Sequence, residues 1–497
     1  MAPYLTRRQW LLASALLTVS ARVKGNGTKS YQYMLAEKIA EGNAPSADFY
    51  VPFGWGASRV PSAGPGLTLA WKPASSAISQ PARLRISSAT DVREVCTVLV
   101  KTATSGQEVG IIDVRYATYM QPFELAIPNA LLPTVIQEGV ILTQQSGNKP
   151  FWIFSRTASP TSAPDALLPH MLLSAQGSSA DAWKERLLSV ASVQTFGWMH
   201  GCVLDGLQEL SQSIPEAKEL LKQHLALYFG SDRLEYAGFS NTRLINTING
   251  VESLLPFAML AQVNPRHPGI DRALAFCKDH VDANGVIADG EGTNRTIKTE
   301  ECYTVSYPLA VMAKQLNRPE LVSWAIQTLM ARTRTLHQSD AIYQRGSESG
   351  GSLTFGNWGR GVAWYLLGLA KSLVHLPNNS ETETLRQTFR RAVDQVLGYQ
   401  QPNGLWFCFM DQPQTGLETS GSAGIAAALS YGYRHGLLDR SARVAAAKAG
   451  KGLVPYFTPD GFLTGTVQAN KGGLALQTGN FRVIAPYTLG FLAHVYG

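Results

Sequence analysis

The sequence predicts two domains of different class, an N-terminal β-sandwich followed by an (α/α)6 toroid, and three observations lead there. The period of the apolar residues changes from two to about 3.6 partway along the chain. Short turn-rich pieces recur at near-regular intervals through the second part. The chain, with 497 residues of which 45% are hydrophobic and 16% charged, can bury large cores and is too long for one ordinary domain.

The first part, residues 40–160, is rich in Val, Thr, Ile and Pro. Alternations such as ARLRISSA, CTVLVKTA and VGIIDVRYA are separated by Gly, Pro and Ser, which is strand and turn chemistry. Residues 161–178 read as a linker, introduced by TASPTSAP. Ahead of both, TRRQWLLASALLTVSA pairs Arg7 and Arg8 with an apolar run from Trp10 to Val19 and small residues at Ser20 and Ala21. Residues 1–21 therefore read as a cleavable export signal of twin-arginine type, and the run is shorter than the roughly 18 residues a spanning helix needs. The expected location is periplasmic or extracellular, with no membrane attachment once the signal is removed.

The second part, residues 179–497, carries apolar residues at spacings of three and four. Charged amphipathic segments such as PEAKELLKQHLALYF and TLRQTFRRAVDQVLGYQ alternate with segments rich in Gly, Ala and aromatics. Those are the outer and inner helices of a ring. Hairpin-like pieces punctuate them: SDRLEYAG at Ser231, ANGVIADG at Ala283, SDAIYQRG at Ser339, PNGLWFCF at Pro402 and PDGFLTGT at Pro459. An interval of about 50 to 60 residues suits a helix pair plus a hairpin.

The charge of +7 is spread rather than clustered, so it suits an acidic substrate and gives no reason to expect a nucleic-acid partner. Cys96, Cys202, Cys277, Cys302 and Cys408 lie far apart and odd in number, without a CxxC pair. Neither a disulfide framework nor a metal is expected. No cofactor is expected either, since the chain has no phosphate loop and no dinucleotide fingerprint. Whether it forms a homo-oligomer is open.

If each hairpin precedes an inner helix, the inner-helix starts gather at one mouth, where helix dipoles and free N–H groups favour an anion such as a carboxylate. Those starts carry Trp198 and His200 in GWMHG, Asn246 in RLINTING, Glu300 and Glu301 in TEECYTVSYP, Trp358, Arg360 and Trp364 in NWGRGVAW, and Glu418 in GLETSGSAG. Indole can face a sugar ring, and guanidinium can hold a carboxylate with two hydrogen bonds. A plainer reading stands beside each: a glutamate at a helix start complements the dipole or caps it, and tryptophans pack cores.

At these residues the chain resembles a known group. WGRGVAWYLLGL is similar to the WGRGNGW signature of the unsaturated glucuronyl and rhamnogalacturonyl hydrolases, glycoside hydrolase families 88 and 105, whose catalytic domain is an (α/α)6 barrel. The stretch GLWFCFMDQPQTGLETSGSAG, with Trp406 in its hairpin, resembles theirs from the GLW hairpin through ETSGSA. The resemblance covers most of residues 180–497 and not the β region. It implies an exo-acting enzyme that removes a terminal uronic acid from acidic oligosaccharides. In that group an aspartate in a D-x-x-F/Y-M-x-x-P segment protonates the C4 side of a C4–C5 double bond, and water adds at C5. By its proline spacing ECYTVSYP places Glu301 there.

Departures from the family pattern accompany this match. Asn246 stands where the family has a second aspartate, and Arg345 in YQRG replaces an expected histidine. Arg360 and Trp364 are kept, while Val362 and Ala363 replace the motif's Asn and second Gly. Three alternatives follow. A saturated β-glucuronidase would need two carboxylates, the second drawn from Glu418, Asp411, Glu348 or Glu300. A polysaccharide lyase would need a base such as Tyr303 or His200 beside Arg345 or Asn246. A non-catalytic uronate-binding protein would keep the sugar-holding residues alone.

Overall fold

The structure is a computed structural model that describes residues 31–39, 49–72, 80–156, 161–174, 180–290, 295–347 and 350–497. The export-signal segment, the start of TASPTSAP and Glu348 lie outside the described residues. The chain divides into two compact units, Met1–Arg115 with Pro122–Gln176, and Tyr116–Gln121 with Gly177–Gly497.

The first unit contains β1 (Tyr31–Leu35), β2 (Lys38–Ile39), β3 (Ala57–Val60), β4 (Leu67–Ala70), β5 (Ala82–Ser87), β6 (Thr97–Thr102), β7 (Glu108–Asp113), β8 (Pro122–Ile127), β9 (Val140–Ser146), β10 (Phe151–Phe154) and β11 (His170–Ser174). They form antiparallel sheets in the orders β1-β11-β5-β8 and β2-β4-β9-β6-β7, plus the pair β10-β3. Alternation sets the buried face, with Val98 and Val100 of β6 fully buried between more exposed neighbours. The unit is thus β-rich and antiparallel, as its period-two pattern predicts. Its extent differs from expectation. Strand β1 begins before residue 40, and residues 170–174, inside the stretch that the sequence predicts to be a linker, form a fully buried strand between β1 and β5. The apolar run HMLLS is too short to show a period, and the Pro/Ser-rich stretch ahead of it draws the boundary too early.

The second unit is a closed ring of helix pairs. Inner helices Trp198–Leu210, Leu255–Val263, Tyr307–Leu316, Gly359–His375, Thr419–Arg434 and Thr488–Tyr496 each pack on the next, and the last packs on the first. Five are followed by an outer helix (Pro215–Tyr228, Pro268–His280, Pro319–Leu336, Ser380–Leu397, Arg440–Leu453), and the sixth is matched by Ala182–Leu187 from the unit's start. The toroid expected from the repeat is present. Its inner helices approach closely enough to need glycine. A Cβ on Gly421 of ETSGSAG would lie 2.7 Å from the carbonyl carbon of Gly359 in WGRG, so the two family-like motifs meet backbone to backbone.

Short antiparallel strands precede most inner helices: β12 (Glu235–Ala237) with β13 (Arg243–Ile245), β14 (Thr296–Lys298) with β15 (Tyr343–Ser347) and β16 (Thr354–Gly356), β17 (Trp406–Phe407) with β18 (Leu417–Glu418), and β19 (Thr466–Val467) with β20 (Arg482–Val483). Their position gathers the inner-helix starts at one mouth. Among the described residues, no helix is long and apolar enough to cross a membrane, and all five cysteines are free buried thiols.

Candidate active site

At that mouth lies a cavity lined by Trp198, Glu252, Lys298, Glu300, Arg345, Trp358, Arg360, Trp364, Ala469 and Asn470. Its floor is cationic and acidic at once. Lys298 and Arg345 are paired across β14 and β15. Lys298 donates from Nζ to Glu252 Oε1 at 2.6 Å and to Asp289 Oδ2 at 3.2 Å. Burial works against its charge, but Glu252, Glu301, Glu300 and Asp289 together hold the ammonium above its ordinary value. Arg345 is exposed, and its guanidinium bonds to none of the described residues, so its five donors can meet an anion.

Glu300 reaches the cavity from the start of the next inner helix. Gln344 Nε2 donates to its Oε1 at 2.7 Å and Thr299 Oγ1 to its Oε2 at 3.3 Å. Burial first, and the negative charge of Glu252 second, push its carboxyl up to about 7. A carboxylic acid that holds a proton near neutral pH can donate it and take it back.

Glu301 points elsewhere. It is wholly buried, with Arg332 Nη2 at 2.5 Å and the Lys298 backbone N–H donating to its Oε2 at 3.0 Å. Arg332 is itself fixed to the Ile287 and Thr328 carbonyls. Burial raises both carboxyls above the usual range, and access separates them, because only Glu300 faces the cavity. The local reason is a π turn over Cys302–Ser306, which inserts one residue before Pro308. In the D-x-x-Y-M-x-x-P pattern, counting back from Pro308 selects Glu301, while counting back from Tyr303 selects Glu300. Gly368 accommodates the widened turn, since a Cβ there would lie 2.2 Å from the Cys302 carbonyl carbon.

Aromatic rings form one wall. Trp198 meets Trp364 edge-on at 5.3 Å and Tyr487 at 4.9 Å, and Trp364 stacks over Tyr303 at 6.0 Å. Arg360 lies over Trp358, its guanidinium carbon 4.8 Å from the ring centroid. The Arg360 donors are already engaged: Nη1 with the Val467 carbonyl at 2.6 Å and Tyr487 Oη at 3.2 Å, Nη2 with the Gln468 carbonyl at 2.8 Å. Its charge reaches the cavity through position, and it fixes the Val467–Gln468 backbone there.

The other sequence candidates fall away from the cavity. Glu418 caps Thr419–Arg434, accepting from the backbone N–H groups of Ser420 at 3.0 Å, Gly421 at 2.6 Å and Val467 at 3.0 Å. Trp406 is fully buried and donates to the Val396 carbonyl at 2.9 Å. His200 is buried and stacked on His224, and burial holds its imidazole well below the ordinary value. Tyr303 Oη donates to buried Asp205 at 2.6 Å, and burial pushes the phenol up, which unsuits it as a base. Asn246 is exposed in a turn with φ of 54°, its Oδ1 accepting from Leu234 N–H at 2.9 Å. Asp411 is exposed and accepts from Asn357 Nδ2 at 3.1 Å. Sequence reasoning missed Glu252, Lys298 and Asn470. The signal for Glu252 was its place in GVESLLP at an inner-helix start, the criterion that selected the others.

A closed helical ring whose mouth combines indole walls, two carboxylates and a free guanidinium defines a carbohydrate-processing protein. The chain matches the model of Glycosyl Hydrolase Family 88 over residues 175–488, more than half its length, and belongs to that family. It is 32% identical over 146 residues, 27% of this chain, to the 24.9 kDa protein in the picA locus of Rhizobium radiobacter, and spans 63% of that relative's length. It is 36% identical over 108 residues, 21% of this chain and 29% of the relative, to an unsaturated 3S-rhamnoglycuronyl hydrolase of Formosa agariphila. Among solved structures it is similar to a possible GH105 family member from Salmonella enterica, with TM-score 0.54 and 21% identity, covering 64% of this chain and 91% of that one. A Clostridium acetobutylicum (C. acetobutylicum) glycoside hydrolase from family 105 gives TM-score 0.53 and 19% identity, covering 64% and 97%. At such identities these structures speak to the fold.

Proposed function

We propose that the protein is an exo-acting uronyl hydrolase that removes a terminal unsaturated glucuronyl-type residue from acidic oligosaccharides, with Glu300 as general acid and base. One observation carries this reading: a protonatable carboxyl near pH 7 stands in an indole-walled cavity beside an uncommitted guanidinium. Arg345 pairs the sugar carboxylate, and Trp198 and Trp364 give the ring an apolar face. Glu300 gives its proton to C4, the electron pair of the C4–C5 bond forming the new C–H bond. Water then adds at C5 and returns a proton to the Glu300 carboxylate. The hemiketal at C5 opens to a ketone and leaves C1 as a hemiacetal, which collapses to an aldehyde and releases the next sugar as its free hydroxyl. The negative charge of Glu252, which is hydrogen-bonded to Lys298, favours the protonated form of Glu300.

A second reading rests on Glu252 itself. Two carboxylates at one cavity are also the equipment for hydrolysing a saturated glucuronide. Matched disaccharides carrying a 4,5-unsaturated or a saturated terminal glucuronic acid separate the two. Loss of the enoate absorbance with the first substrate alone is expected, and release of glucuronic acid from the second alone would select the other reading. The paired arginines and apolar run near the N-terminus support export by a twin-arginine route, which cell fractionation with and without Arg7→Lys and Arg8→Lys would test.

A further inference from the structure

The family match begins at residue 175, yet one segment far ahead of it belongs to the toroid unit. Tyr116–Gln121, the connection between β7 and β8, is counted with the helical ring, while the chain on either side of it is not. Ala117, Thr118, Tyr119, Met120 and Gln121 are all buried. Tyr116 and Met120 hold left-handed backbone, with φ of 54° and 62°. Side chains other than glycine rarely adopt that conformation, and surrounding structure has to enforce it.

The segment bonds to two rim elements that are distant in sequence. Tyr119 Oη donates to the Gly238 carbonyl at 2.8 Å and accepts from Asn241 N–H at 2.8 Å, at the tip between β12 and β13. Gln121 faces Gln468 amide to amide, accepting from Gln468 Nε2 at 3.1 Å, and it donates to the Ile484 carbonyl at 3.1 Å. Gln468 in turn presents its carbonyl to Arg360 Nη2 at 2.8 Å. Gln121 and Arg360 also line a common small cavity that shares Trp198 and Ala469 with the larger one. The next residues, Ala469 and Asn470, wall the larger cavity.

We propose that Tyr116–Gln121 is a strap that sets the active-site rim, and that Gln121 is a positioning residue acting through Gln468 on Arg360 and the Ala469–Asn470 wall. Its effect on uronide binding rests on the function proposed above, and its effect on the rim does not. The test compares wild type, Q121A and Y119F by amide hydrogen exchange and by steady-state kinetics on the unsaturated disaccharide. Q121A should speed exchange over residues 466–470 and raise KM roughly three- to tenfold, the loss of about one hydrogen bond, with kcat nearly unchanged. Y119F should speed exchange over residues 238–242 and leave 466–470 as in wild type. Unchanged exchange at 466–470 in Q121A would overturn the proposal, as would faster exchange there with unchanged KM. If wild type turns over no uronide, the function reading fails while exchange still decides the strap. Q121N, which withdraws the amide by one methylene, replaces Q121A should the latter not fold.

Discussion

Two clusters of acid and base lie in the same ring, and they are finished differently. Deep among the inner helices, Asp205 accepts from Tyr303 at 2.6 Å and Tyr307 at 3.0 Å and pairs with Lys371 at 2.8 Å and His494 at 3.0 Å. Burial pushes its carboxyl up, but Lys371 and His494 prevail and hold it well below the usual range. At the mouth, Lys298 is committed to Glu252 and Asp289, and Glu300 has only neutral donors from Gln344 and Thr299. A buried carboxylate whose lone pairs are all met by donors, the Lys371 ammonium among them, fixes structure. One that leaves a carboxyl short of positive charge keeps a proton to exchange.

Substitutions should separate the two. Glu300→Gln should lower kcat by about 10²- to 10⁴-fold, the usual worth of a general acid, with the fold intact by circular dichroism. Asp205→Asn should cost about 3 to 5 kcal/mol in denaturant unfolding, because Lys371 is left buried and uncompensated, with turnover per folded molecule little changed. Arg345→Ala should raise KM for uronides by the loss of a charged hydrogen bond, about 1.5 to 3 kcal/mol, and leave neutral glycosides unaffected. Equal effects on both substrate classes would remove the carboxylate from its role.

Dependence on pH sharpens the contrast by sign. The folded pKa of Asp205 is depressed, so its stabilisation is present above the unfolded value of about 3.9 and is lost as pH falls below it. Glu300 runs the other way. Its folded value of about 7 lies above the unfolded one, so its contribution is present at low pH and lost as pH rises through 7. Glu300→Gln should therefore be more stable than wild type at pH 8, by about 1 kcal/mol, and not at pH 4. Activity that needs the Glu300 proton should decline above pH 7.

Much of this was legible in the residues. The change of period and the recurring hairpins gave the ring and its mouth, and the glycines of WGRG and ETSGSAG mark where two inner helices touch. Spacing from Pro308 selects Glu301 and spacing from Tyr303 selects Glu300, and the residue that the π turn inserts between them does not itself say which carboxyl faces the cavity. Glu418 followed by Thr-Ser-Gly reads equally as a catalytic group or a cap, and only its three backbone donors decide for the cap. Trp406 and Trp358 illustrate the same limit, since an indole in a motif does not reveal whether it faces a cavity or a core. The strap was illegible because its partners lie from 119 to 363 residues away along the chain.

The assignment of proton transfer to Glu300 is tested most directly by comparing Glu300→Gln with Glu301→Gln on the unsaturated disaccharide, following enoate loss and thermal unfolding together. Glu300→Gln is expected to fold and bind the sugar acid without turning it over, and Glu301→Gln to lose stability through the unpaired Arg332 while its folded fraction stays active. A stable, inactive Glu301→Gln beside an active Glu300→Gln would contradict it.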